Sequence, residues 1–153
     1  MKWPSLILYT DRLPADVGGQ ARGPLVLIRP RYRDDVGLHA HEAEHVRQWY
    51  IAWAVCTAAV LPVAAALGAG ASWLIVLSSL GMIAHGALYR FVRRYRAWCE
   101  ARAYAIQTQH PDAHGQRLRI EDAADMMAAS RYDLGITPAH AAAMIASQVI
   151  RNR

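Results

Sequence analysis

Charged residues divide the chain into three segments. Residues 1–48 combine polar and turn-forming positions with short apolar runs, and residues 89–153 are again rich in charge. Between Arg47 and Arg90 the sequence contains no Asp, Glu, Lys or Arg. A transmembrane helix needs about 20 predominantly apolar residues, and the central segment, residues 49–88, has room for two. The pattern therefore predicts one domain whose central segment differs in character from its two ends.

The central segment predicts a two-helix transmembrane hairpin. Its two apolar runs, residues 49–67 and 71–88, are separated by the turn-forming Gly68-Ala69-Gly70. Pro62 is compatible with this prediction, because transmembrane helices tolerate proline. Aromatic residues gather near the ends of the runs, as expected at membrane interfaces: Trp49, Tyr50, Trp53, Trp73, Tyr89 and Phe91. One alternative is a buried helical hairpin in a soluble domain, which predicts a polar helix face that this segment lacks. Another is a soluble helical domain whose hairpin packs inside an oligomer.

Arginines indicate how the hairpin is oriented. The net charge is +5, and four arginines follow the second apolar run, at Arg90, Arg93, Arg94 and Arg96. Positive charge is enriched on the cytoplasmic side of membranes, so we expect both ends of the hairpin in the cytoplasm, at the inner membrane. The basic residues lack the aromatic interleaving of nucleic-acid-binding segments, so we expect membrane lipid and no nucleic acid as a partner. The oligomeric state is left open.

Short apolar runs in the first segment predict a strand pair. Residues 5–9 and 25–28 form these runs, and residues 11–23 between them are rich in glycine and proline, as turns are. After the hairpin, the pattern predicts a helix through residue 109 and two smaller helices at about 121–130 and 137–150. The fold class that follows is mainly α.

The first segment ends in His41-Glu42-Ala43-Glu44-His45, an H-E-x-x-H sequence that a helix should carry. Residues four apart lie on one helix face, so His41 and His45 can point their imidazoles at one ion. Glu42 lies one position further round, close enough to act on a water bound to that ion. Neutral imidazole suits Zn²⁺, which lowers the pKa of such a water to about 7. The alternative is a solvated helix face that carries two histidines by chance.

This helix resembles the active-site helix of the zincin metallopeptidases. The metzincin pattern would need glycine at position 48 and histidine at position 51, where this chain has Gln48 and Ile51. The resemblance is therefore to the gluzincin type, in a small membrane-associated form, and it implies a third ligand from a glutamate on a later helix. Glu100 is the candidate, and a straight antiparallel hairpin places it within a turn or two of the height of His41 and His45. The alternative for Glu100 is a solvated carboxylate paired with neighbouring arginines.

Further residues belong to the same hypothesis. Tyr104 lies on the helix face of Glu100 and could donate to a developing oxyanion. Asp34 or Asp35 could accept a hydrogen bond from the second ring nitrogen of a ligand histidine. The resemblance also implies that the strand at residues 25–29 binds extended substrate. His39 is expected before the helix or in its first turn and not as a ligand, because residues i and i+2 do not face one ion.

The chain is thus expected to be a minimal zincin-like helical domain with a short N-terminal strand pair and a two-helix transmembrane hairpin. Its predicted function is zinc-dependent hydrolysis of peptide or protein substrates at the cytoplasmic membrane face. Glu42 would be the general base, and His41, His45 and Glu100 would be the Zn²⁺ ligands. The alternative is a non-catalytic membrane-hairpin protein with a structural or interaction role, whose metal site is structural or vestigial.

Overall fold

The computed structural model describes residues 3–68 and 70–151. It confirms a mainly helical chain with a small sheet. The strands are β1 (Leu6–Tyr9), β2 (Gly19–Arg22) and β3 (Leu25–Ile28), and the helices are α1 (Val36–Ala66), α2 (Ala71–Phe91), α3 (Arg93–Gln107), α4 (Ile120–Ala128) and α5 (Pro138–Arg151). Ala69 of the predicted turn lies outside the described residues.

The N-terminal sheet has three strands in the order β1-β3-β2. The central strand, β3, runs parallel to β1 and antiparallel to β2, and its Val26 and Ile28 pack against Val46 of α1. The expectation that residues 25–29 bind extended substrate is therefore wrong, because both edges of β3 already carry hydrogen-bonded strands. The glycine-rich stretch before β3 was predicted to be turn, but it contains the edge strand β2.

Helix α1 carries both the H-E-x-x-H residues and the first apolar run without interruption over 31 residues. It begins at Val36, where the Asp35 carboxylate accepts a hydrogen bond from Leu38 N at 2.7 Å. The helix is long and apolar enough to cross a membrane, and only 11% of its most apolar window is buried. A core helix of a soluble protein would be mostly covered, so the exposure of α1 favours an apolar environment around it.

Helix α2 packs antiparallel against α1. Trp49 Nε1 donates to Met82 O at 2.9 Å, and Trp53 Nε1 donates to Ser78 O at 3.1 Å. Later residues of α1 therefore face earlier residues of α2. Gly81 allows the close approach, since a Cβ there would lie 2.9 Å from the carbonyl oxygen of Trp53. Within the described part of the chain, the segment Ile75–Phe91 of α2 has the length and apolarity of a membrane span only together with α3, from which a bend separates it.

The chain turns sharply between α2 and α3, where the two helices are bent by 99°. Arg96 stabilises this turn by donating to the carbonyl oxygens of Tyr89 at 2.8 Å, Arg90 at 2.6 Å and Tyr132 at 2.7 Å. Two of these carbonyls belong to the last turn of α2, where regular helical partners run out. The straight hairpin assumed from the sequence is thus wrong beyond α2, because α3 crosses α1 instead of running beside it.

We expect Arg96→Met to lower the free energy of unfolding by about 3 kcal/mol, because it removes a charged donor from three carbonyl groups. Denaturation of the protein in detergent, followed by tryptophan fluorescence, measures the change. Arg94→Met is the matched control, since Arg94 is an exposed arginine on the same helix and its loss should cost less than about 0.5 kcal/mol. Equal stability of Arg96→Met and wild type would contradict this account of the turn.

The C-terminal helices form the main apolar core. Side chains of α3, α4 and α5 meet there, among them Ala105, Met127 and Ile145. The predicted helices at 121–130 and 137–150 correspond to α4 and α5. This core packs on one side of α3 and leaves its other side in contact with α1.

Candidate metal centre

Three side chains from α1 and α3 meet at one point. His41 Nε2 and His45 Nε2 lie 3.2 Å apart, while Glu100 Oε2 is 3.6 Å from the former and Glu100 Oε1 is 3.5 Å from the latter. The side chains of His41, His45 and Glu100 are 7%, 12% and 2% exposed. The four-residue spacing places both imidazoles on one face of α1. The turn before α3 then brings Glu100 across that face, so the three predicted ligand residues are together.

The distances between these donor atoms suit a tetrahedral ion. Zn²⁺ binds histidine nitrogen and carboxylate oxygen at about 2.0–2.1 Å, which puts neighbouring donors about 3.3 Å apart in a tetrahedron. Glu100 Oε2 is buried and has no hydrogen-bond partner in the part of the chain that the structure describes. A buried carboxylate oxygen without a partner is costly, and a cation between the three donors would remove that cost. Two imidazoles and one carboxylate are also a donor set that zinc accepts, so the residues fit the metal.

Electrostatics favour the neutral imidazole at His41, which precedes the apolar run of α1. Burial lowers the pKa of His41 well below its usual value, and the neighbouring His45 lowers the pKa further. The nearby Gln107 side chain acts in the opposite direction and raises the pKa of His41. A neutral ring offers the lone pair that a metal needs.

Glu42 lines the cleft next to the three donors. Burial raises the pKa of Glu42 to about 7, His45 and a backbone hydrogen bond from Ala21 lower it, and Glu100 raises it. Strand β2 lies against this side chain, since a Cβ on Gly19 would come within 2.8 Å of Glu42 Oε1. A carboxyl group with a pKa near neutrality is suited to accept and release a proton.

Tyr89, in the last turn of α2, donates a hydrogen bond to Glu100 Oε1. Its ring also packs edge-on against His45, with 5.9 Å between ring centroids. The sequence pattern placed Tyr89 among interfacial aromatic residues, and nothing in its spacing reveals the contact with Glu100. By holding one carboxylate oxygen, Tyr89 fixes how Glu100 faces the histidines.

Polar side chains join α1 to α3 next to the ligand residues. Gln48 Oε1 lies 3.1 Å from His45 Nδ1, and Gln48 Nε2 donates to Cys99 O at 3.1 Å. Glu44, the other acid of the pentapeptide, is buried and accepts from Arg102 Nε of α3 at 3.0 Å. These contacts stabilise the crossing of the two helices that supply the donors. In the sequence, Gln48 stands out only because the metzincin pattern would need glycine at this position.

The remaining predicted site residues lie around the centre. The ring of Tyr104 packs edge-on against His41, at 4.7 Å between centroids, and its hydroxyl is 2.8 Å from the Tyr132 hydroxyl. Asp35 caps α1, and Asp34 is exposed. Within the described residues, no hydrogen bond joins either aspartate to a ligand histidine, and Gln48 occupies the place expected for such a partner at His45.

Five further histidines lie outside the cluster, among them His39 and His85. His39 is in the first turn of α1, as predicted, with Nε2 2.9 Å from Arg33 O. His85 of α2 has its Nδ1 2.8 Å from the Tyr95 hydroxyl. Among the described His, Cys, Asp and Glu side chains, only the three donors above lie close enough together to hold one ion.

The three donors open onto a cleft of about 1420 Å³. One wall is the backbone of residues 18–24, which includes β2, and the opposite side includes Met82, Ile83 and Gly86 of α2. Pockets for drug-sized ligands usually measure about 300–1,000 Å³, so this cleft has room for an extended peptide segment.

Comparisons of the chain with protein-family models, with the sequences of curated proteins and with solved structures found no match. The resemblance to the zincins therefore stays a hypothesis.

Proposed function

We propose that the chain is a membrane-embedded zinc peptidase of the gluzincin type. The observation that carries this proposal is the convergence of His41, His45 and Glu100 at distances that suit a tetrahedral ion, beside Glu42 and open to the cleft. Structural zinc sites use four protein ligands, whereas catalytic sites use three and keep one position open. The cluster within the described residues has three, which supports the catalytic alternative over a structural or vestigial site.

Zinc, when bound, supplies a Lewis acid that polarises the scissile carbonyl and makes water a better nucleophile at neutral pH. The chain's own residues carry the proton transfers and the positioning. Glu42 takes a proton from the attacking water as the water adds to the carbonyl carbon, and it then gives that proton to the leaving amine nitrogen. Tyr89 keeps Glu100 turned toward the histidines, and the packing of α3 across α1 maintains the distances between the three donors.

The cleft also indicates how a substrate would bind. β2 is an edge strand, and among the described strands only β3 pairs with it. An extended peptide could add to its outer edge through backbone hydrogen bonds, next to Glu42. We therefore assign peptide or protein substrates to this centre.

We also propose that α1 and α2 form a transmembrane hairpin. Large apolar side chains of α2 are exposed on the isolated chain, including Trp73, Ile75, Val76, Leu80 and Ile83. Soluble monomers rarely expose so large an apolar surface, and a bilayer would cover it. The bend after α2 would lay α3 along the membrane surface, and the arginines around it would place the metal centre on the cytoplasmic side.

A charge inside the apolar run tests this placement. We expect Val55→Asp to weaken membrane integration by about 3 kcal/mol, because the carboxylate would lie within the hydrocarbon region. Val36→Asp is the matched control, since both valines are exposed on α1, at 62% and 50%, but Val36 precedes the apolar run. Retention in the pellet after alkaline extraction of membranes measures the effect. Equal retention of both variants would count against the hairpin as a membrane span.

The experiment that tests the proposed activity measures zinc content and peptide hydrolysis in the same detergent-solubilised preparations. Wild type, Glu42→Gln and the ligand variants are compared. Zinc binding together with hydrolysis that depends on Glu42 would support the proposal, and zinc binding without hydrolysis would favour the structural-site alternative.

A further inference from the structure

We infer that Gln48 is a positioning residue, which holds His45 in the tautomer that directs the lone pair of Nε2 toward His41 and Glu100. The inference rests on the proposed metal centre for its functional meaning. The contact between Gln48 and His45 does not need a bound metal, so the inference also makes a prediction for the metal-free protein.

The partners of Gln48 determine which way its amide faces. Gln48 Nε2 donates to Cys99 O at 3.1 Å and approaches Glu44 Oε1 at 3.4 Å. Both partners are acceptors, so the amide nitrogen must face them and the amide oxygen must face His45. Turning the amide by 180° would place its oxygen against two acceptors. Gln48 is only 3% exposed, so water could not replace the lost bonds.

The orientation of Gln48 determines the proton position on His45. An amide oxygen can only accept a hydrogen bond, and Gln48 Oε1 lies 3.1 Å from His45 Nδ1. Nδ1 must therefore donate, and because a neutral imidazole carries one N–H, the lone pair is on Nε2. Nε2 of His45 is the atom 3.2 Å from His41 Nε2 and 3.5 Å from Glu100 Oε1. The ring is thus set for a metal before one binds.

A second layer of contacts holds Gln48 in place. The Glu44 carboxylate, 2% exposed, accepts from Arg102 Nε at 3.0 Å and from Arg47 Nη1 at 2.9 Å. Glu44 Oε1 is thus the shared acceptor of two arginine donors and of Gln48 Nε2. The main-chain carbonyl of Cys99 is part of α3 and is likewise only an acceptor. The direction of the Gln48 amide is therefore imposed from α1 and from α3.

The test replaces Gln48 by methionine, which keeps the length of the side chain and removes the amide. Gln148→Met is the matched control, because Gln148 is also buried but lies on α5. Circular dichroism and the elution volume in detergent establish that both variants fold. Nitrogen-15 NMR of labelled histidine in metal-free protein, at a pH where the rings are neutral, reports the tautomer, and His45→Ala identifies the His45 signals. Competition with a chromophoric chelator gives the zinc affinity.

We expect wild type and Gln148→Met to carry the proton of His45 on Nδ1 and to bind zinc equally well. In Gln48→Met the proton should move toward Nε2, and zinc affinity should fall by about 10–100-fold. An unchanged tautomer and affinity in folded Gln48→Met would overturn the inference. If Gln48→Met does not fold, the metal-free wild type decides alone, because a proton on Nε2 of its His45 would overturn the inference.

The same measurements separate this inference from the proposed function. Wild type with the proton on Nδ1 of His45 but without zinc affinity would support the inference and reject the peptidase. Wild type that binds zinc but carries the proton on Nε2 in the metal-free state would overturn the inference and leave the metal centre in place.

Discussion

Wild-type protein purified in detergent with added zinc should contain one zinc ion per chain, and Glu100→Ala and His45→Ala should bind it at least about 100-fold more weakly. Each variant removes one of only three donors, and the donors come from two helices, so neither α1 nor α3 alone could hold the ion. Elemental analysis after gel filtration, followed by chelator competition, measures both content and affinity. The loss should be similar for both variants, because each leaves a two-donor site.

Glu121→Ala is the control for this experiment, since Glu121 is an exposed carboxylate on α4, outside the cluster. Its zinc content should equal that of wild type. A wild-type protein without zinc after supplementation would reject the metal centre and leave a membrane hairpin with an accidental pentapeptide.

Glu42→Gln should keep the zinc and lose peptide hydrolysis by a factor of about 10²–10⁴, the usual contribution of a general base. Zinc should stay because Glu42 is not one of the three clustered donors. Glutamine has nearly the same size and can remain against β2, so the packing near Gly19 is preserved. The measurement is release of fluorescence from a pool of quenched peptides by detergent-solubilised protein, with Glu121→Gln as the control.

Two outcomes of this assay would contradict the mechanism in different ways. Hydrolysis by Glu42→Gln at the wild-type rate would show that another group takes the proton. Zinc-loaded wild type without hydrolysis would favour the non-catalytic membrane-hairpin protein, in which the same three donors serve a structural or vestigial site.

Features of this fold that depend on residues close together in the sequence could be predicted. Spacing alone placed His41 and His45 on one helix face, and the absence of charge from 48 to 89 predicted the apolar hairpin. The bend at Val92 could not be predicted in this way. No proline or glycine occurs from residue 87 to residue 110, and the bend is stabilised instead by Arg96 and the carbonyl groups that it reaches through space.

The residues of the candidate site could likewise be predicted only in part. His41, His45 and Glu100 could be named as candidates from the sequence and the resemblance, although the straight path drawn for the chain between them was wrong. Tyr89 and Gln48 could not be assigned, because the contacts that fix their side chains, with Glu100 for Tyr89 and with the Cys99 carbonyl for Gln48, join different helices. Strand β2 was missed because glycines usually mark turns, and its pairing with β3 is decided only when the sheet forms.

The continuity of α1 has a geometric consequence. His45 and Trp49 are four positions apart on one uninterrupted helix, which separates them by about 6 Å along its axis. If α1 is embedded in a membrane as proposed, the rigid helix fixes the distance between the metal centre and the lipid. A bilayer that is too thin or too thick for the hairpin would create hydrophobic mismatch and tilt α1, and the centre would tilt with it. Lipid thickness would then decide which peptide bond of a neighbouring protein comes within reach, so that the membrane itself takes part in the choice of substrate.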